Sequence, residues 1–74
     1  MSRFPEASVA CLKRVMLACA PEFRFLAANV ELIKQETGLN EAQITVWGDH
    51  FRMRYATEKE RMEYLTSDGF EKVT

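Results

Sequence analysis

The sequence has no apolar run longer than a few residues, far short of the ~20 that a membrane-spanning helix needs. Its opening, Met-Ser-Arg-Phe-Pro-Glu, also lacks the apolar stretch of a secretory signal. Glycine and proline are scarce, at three and two residues, and nowhere cluster into a linker. There is a single histidine and there are two cysteines, without the spacing of zinc ligands. If Cys11 and Cys19 share a helix, they lie about 12 Å apart along its axis, at ~1.5 Å per residue. A disulfide requires Cα atoms within about 7 Å, so they do not bridge each other. Two free thiols of this kind suit a reducing, intracellular compartment. An excess of positive charge is missing too: ten Lys and Arg stand against eleven Asp and Glu, for a net charge of −1. Simple binding to a phosphate backbone is therefore poorly served, since it demands a basic footprint.

At 74 residues the chain is read as one domain, residues 1–74. A domain of this size buries only about 60% of the surface its unfolded form exposes, so the core must be efficient or a partner must help. Hydrophobic residues make up 47% and charged residues 28%, an ordinary globular balance. There is no internal repeat. The abrupt ends, without flanking tails, suggest a domain cut from a longer chain.

Pro5 suits the first turn of a helix, where its missing N–H costs nothing. Val9, Leu12, Val15, Met16 and Cys19 then recur at spacings of three and four, which predicts an amphipathic helix over about 5–19. Pro21 stops it. A second helix is predicted over about 26–37, with Leu26, Val30 and Ile33 inward. Gly38 is placed for the left-handed geometry that ends a helix, and Asn40 is a strong N-cap with Gln43 three residues on. Helix, glycine, short turn and helix together are the helix-turn-helix pattern. The third helix starts at Glu41 and presents Ile44, Trp47, Phe51 and Tyr55 on one side. No glycine or proline lies between Gly48 and Gly69, so the helix is expected to run to about Leu65. Residues 66–74 read as a loosely held tail with one large apolar residue, Phe70.

The stretch Gly38-Leu39-Asn40-Glu41-Ala42-Gln43-Ile44-Thr45-Val46-Trp47, followed by Arg52-Met53-Arg54, resembles the recognition helix of homeodomains. That family typically reads Gly-Leu-Thr-Glu-x-Gln-Val-x-x-Trp-Phe-x-Asn-Arg-Arg. Leu39, Ile44, Trp47, Ile33 and Phe25 fall on its core positions, and Val15 and Cys19 fall on two helix-one core positions. The resemblance covers about 50 residues. It implies an all-α fold: a three-helix homeodomain-like or Myb-like bundle with a helix-turn-helix and a long third helix. It also implies a nuclear, DNA-associated setting.

The departures rewrite the chemistry. The four positions that the family turns into the major groove fall on Val46, Asp49, His50 and Met53. His50 replaces the adenine-reading asparagine, so the usual bidentate readout is lost. Asp49 puts a carboxylate near phosphates. Gly48 replaces a core phenylalanine in mid-helix, at about 1 kcal/mol of helix propensity. Met16 and Phe51 stand where many homeodomains place an ion pair, which predicts an apolar contact that fills part of the room left by Gly48. Arg52 lands on a phosphate-contacting arginine. From Asn40 to Leu65 there are four basic residues against five acidic ones.

Two functions remain. The first, favoured by the charge, is a protein–protein interaction module, most simply a dimer with itself or with a similar module. Its candidate interface is Tyr55, Met62, Leu65, Val46 and Met53, apolar residues in excess of what a three-helix core uses. The second is a double-stranded DNA-binding domain with non-standard readout, its candidate contacts being Arg52, Arg54, His50, Asp49, Arg24 and Arg3. No catalytic constellation stands out. Asp49 and His50 are helix neighbours projecting about 100° apart, and no nucleophile accompanies them. No cofactor, metal, small molecule or membrane is expected as a partner.

Overall fold

A computed structural model of the chain describes residues 4–67. These residues form four helices and no strand: α1 Glu6–Ala18, α2 Ala27–Thr37, α3 Glu41–Arg54 and α4 Glu58–Thr66. The first two keep their expected bounds to within a residue. The turn after α2 is also as expected. Gly38 ends α2 in the left-handed region at φ 78°. Asn40 and Gln43 cap each other at the start of α3: Gln43 N–H donates to Asn40 Oδ1 at 2.8 Å, and Asn40 N–H donates to Gln43 Oε1 at 2.9 Å. Two of the N–H groups at this helix end, which lack partners within the helix, are thereby satisfied. At α2 the corresponding acceptor is Asn29, whose Oδ1 takes the Leu26 N–H at 2.7 Å.

The expected long third helix is not there. It breaks at Tyr55, which is extended at φ −115°, ψ 93°. Thr57 then starts a new helix: its hydroxyl accepts from Glu60 N–H at 3.1 Å, while Glu60 Oε1 accepts from the Thr57 and Ala56 N–H groups at 3.2 and 3.1 Å. Thr-x-x-Glu is a capping box, and it competes successfully with helix continuation. Arg61 secures the break from the other side. Its Nε donates to the Tyr55 carbonyl at 2.6 Å and its Nη2 to the Arg52 carbonyl at 3.2 Å, so two carbonyls at the end of α3 gain a partner. The chain reverses here, and α4 packs against α1.

Two apolar clusters result. One joins Cys11, Leu12 and Val15 of α1 to Ile33, Leu39 and Ile44. The other joins Met16, Phe23, Phe51 and Leu65, with Trp47, Tyr55, Met62 and Tyr64 partly buried around it. Met16 and Phe51 thus share one cluster, as the resemblance led us to expect. Phe23, in the connection between α1 and α2, is fully buried. It holds a positive φ of 54°, an uncommon backbone for a bulky side chain. Leu26 runs the other way: expected inward, it is 69% exposed. As the residue before the first turn of α2, it precedes the helix face that Ile33 turns to the core.

Candidate functional site

Helix α3 carries most of the residues singled out by sequence, and the fold sorts them into two faces. On the outward face stand Val46, 47% exposed, and Met53, 76% exposed, with Asp49 and His50 also exposed. The opposite stripe, Trp47, Phe51 and Tyr55, turns toward α4. The five expected interface residues are therefore not one surface. Leu65 is only 6% exposed and belongs to the second cluster, because the reversal after Tyr55 turns this edge of α4 onto α1 rather than into solvent. Tyr55 and Met62 are half-buried against the same cluster. Of the expected interface, Val46 and Met53 alone stand clear of the core.

The candidate DNA contacts divide as well. Arg52, expected to contact phosphate, points into the fold: Nη1 donates to the Phe23 carbonyl at 2.9 Å and Nη2 to Asp49 Oδ1 at 2.6 Å. Both Arg52 and its partner Asp49 are thus engaged within the domain. Arg24 lies beside them, lining a shallow pocket of about 200 Å³ with Phe25, Val30 and Thr45. Arg54 is exposed, its guanidinium 5.9 Å from the Tyr55 ring centroid. Arg3 and Phe70 lie outside the described residues.

Gly48 owes its place to Arg52 and its neighbours. A Cβ there would sit 3.4 Å from Arg52 Nη1, 3.7 Å from Met16 Cε and 3.8 Å from Phe25 Cδ2. The room expected to be shared with Phe51 is taken up by Met16, Phe25 and the Arg52 guanidinium. One methyl group still fits. Gly48→Ala should therefore raise stability, by up to ~1 kcal/mol of helix propensity. Gly48→Phe, the residue of the homeodomain pattern, should lower it by about 1–3 kcal/mol through overpacking. Urea melts check both, and a loss of more than ~1 kcal/mol for alanine would show that the contact with Arg52 leaves no room for a methyl.

A third feature was not foreseen. Between α3 and α4 runs a groove of about 320 Å³ lined by Trp47, His50, Phe51, Arg54, Tyr55 and Tyr64. Phe51 and Trp47 stack at 5.5 Å between centroids, and Tyr55 and Tyr64 stack at 4.6 Å. Phe51 lies 5.7 and 5.9 Å from the two tyrosine rings. Phe51 is buried and touches both pairs, so it forms the floor, with tryptophan on one side and the tyrosines on the other. Lys13 Nζ stands over the Tyr64 ring, 4.5 Å from its centroid, and donates to Ser67 Oγ at 3.1 Å. The groove needs the helix break: an uninterrupted α3 would carry Tyr64 away from Tyr55.

No family model, curated protein or solved structure matches this chain. Function must therefore be argued from the chain's own residues. The two thiols are poor nucleophiles at neutral pH. Burial pushes the Cys11 thiol above the ordinary range, and Glu36, whose Oε1 it meets at 3.4 Å, pushes it the same way. Burial, with the nearby Glu22 charge, raises that of Cys19. Both stay protonated and poorly nucleophilic. Glu36 itself is held below the usual carboxylate range by Arg14, at 2.7 Å, and by the Cys11 thiol. Among the described residues, no group of three or more His, Cys, Asp and Glu is placed to hold a metal ion.

Proposed function

We propose that this domain is a protein-interaction module on a homeodomain-like or Myb-like scaffold, docking through the outward face of α3. Its partner is a second copy or a similar module, in a nuclear, DNA-associated setting. One observation carries the reading: Arg52 is turned inward onto the Phe23 carbonyl and Asp49, while Val46 and Met53 stand in solvent on the same helix. A surface that engages Arg52 internally and exposes a valine and a methionine suits an apolar partner better than a polyanion. Met53, unbranched and polarizable, adapts to a partner's contours.

The rival reading, double-stranded DNA, has the helix-Gly38-turn-helix in its favour. Among the described residues it leaves Arg54 and Arg24 as the exposed basic residues of the expected set. At about −0.9 per phosphate contact, log K against log salt should fall with a slope near −2.

One pair of measurements decides. Sedimentation of the domain at ~100 μM should show self-association, and Val46→Glu with Met53→Glu should abolish it while leaving unchanged the melt of the dissociated monomer at low concentration, as expected of positions exposed in the monomer. A parent that is monomeric at that concentration excludes a second copy as partner. Duplex DNA titrated in parallel should bind weakly and with the shallow slope. Nanomolar affinity at ~150 mM salt, with a slope steeper than about −5, would make DNA the partner instead.

A further inference from the structure

The groove between α3 and α4 is lined by four aromatic rings, the Arg54 guanidinium and the His50 imidazole, and no carboxylate lines it. That is unusual in a chain of net charge −1. The domain as a whole gives no polyanion a broad footing, yet this one recess combines aromatic rings with the Arg54 guanidinium and the His50 imidazole. We propose that the groove binds an acidic segment of a partner protein, taking one aromatic side chain between Trp47 and the Tyr55–Tyr64 pair, with a flanking carboxylate on Arg54 and His50.

The size and chemistry agree with that occupant. About 320 Å³ lies at the lower end of ligand sites, which run to roughly 300–1,000 Å³. It holds one aromatic side chain and an adjoining carboxylate but not a large cofactor. The Trp47 ring is flanked by Phe25 and Phe51, and the Tyr64 ring by Tyr55 and the Lys13 ammonium, but both are only half-buried, so what each offers an incoming ring is an edge for a tilted contact. The Arg54 guanidinium, exposed above the Tyr55 ring, is free to meet a carboxylate with two parallel hydrogen bonds. A strand of nucleic acid also stacks on aromatics, but it tracks a continuous basic groove, and here the basic groups number two. This site lies on the α4 side of α3 and does not depend on docking through Val46 and Met53.

The test uses the intact chain and its single tryptophan, which lies in the groove. Trp47 fluorescence is titrated with the peptide Glu-Asp-Phe-Asp-Glu, with its counterpart Lys-Lys-Phe-Lys-Lys, and with a twelve-nucleotide oligothymidine. The acidic peptide should saturate with a Kd between about 0.1 and 1 mM, the weak range expected of a short flexible ligand that must be ordered on binding. The lysine peptide should bind at least tenfold more weakly. Arg54→Glu should reduce affinity for the acidic peptide at least fivefold and raise affinity for the lysine peptide. The comparison of peptides on the parent protein holds even if that variant is unstable. Equal binding of the two peptides would overturn the proposal. So would absence of saturation by the acidic one at ~5 mM, or tighter binding of the oligothymidine.

Discussion

Phe51→Ala is expected to cost about 3–5 kcal/mol of stability, as for a fully buried aromatic. The Phe51 ring lies 5.5–6.1 Å from four other rings, those of Phe23, Trp47, Tyr55 and Tyr64, and shares its cluster with Met16 and Leu65. Aromatic pairs at such distances add about 0.5–1.5 kcal/mol each beyond the area they bury. A domain of this length has a total stability of roughly 4–11 kcal/mol, at about 0.05–0.15 kcal/mol per residue. Removing the ring therefore takes away a large share and should leave a measurable fraction unfolded at 37 °C. Urea melts followed by circular dichroism give the number. A loss under ~1 kcal/mol would mean that the ring is not packed as described.

The second large effect concerns α4. A chain ending at Ala56 should lose its cooperative unfolding transition. Without α4, the buried side of Met16, Phe23 and Phe51 faces water where Leu65, Met62 and Tyr64 cover it in the full chain. The carbonyls of Tyr55 and Arg52 also lose Arg61. Burying Leu65 alone is worth about 1.5–3 kcal/mol. Losing three large side chains and two charge-assisted hydrogen bonds together approaches the whole stability of the domain. A shortened chain that keeps its near-ultraviolet dichroism and melts cooperatively would show that three helices suffice.

Much of this was legible in the residues. The stripe Leu12, Val15 and Met16 gave α1, Gly38 and Asn40 gave the turn, and the paired positions Met16 and Phe51 gave the second cluster its start. The break at Tyr55 was missed although its signal was present: Thr57 and Glu60 form a Thr-x-x-Glu box as good as the one at Asn40. The absence of glycine and proline argued for continuation, but a cap can end one helix and begin another without either residue. That single error moved Leu65 from surface to core. Other features were not readable at all. Nothing local marks Phe23 as a fully buried residue, because its site exists only once α3 and α4 have both folded against α1. Arg52 reads as a solvent-facing arginine until the loop carbonyl it binds is in place. The groove needs the rings of Trp47 and Tyr64 brought together across the reversal, a meeting that periodicity within either helix does not encode.

The inward hydrogen bond of Arg52 also sets a conformational tax on any anion that approaches this part of α3. A phosphate that recruits Arg52 must select the minor population in which the guanidinium has released the Phe23 carbonyl. Leaving such a partly buried carbonyl without its charged donor costs about 1–3 kcal/mol. The apparent dissociation constant rises as the competent population falls, so this one bond weakens phosphate binding there by roughly ten- to a hundredfold.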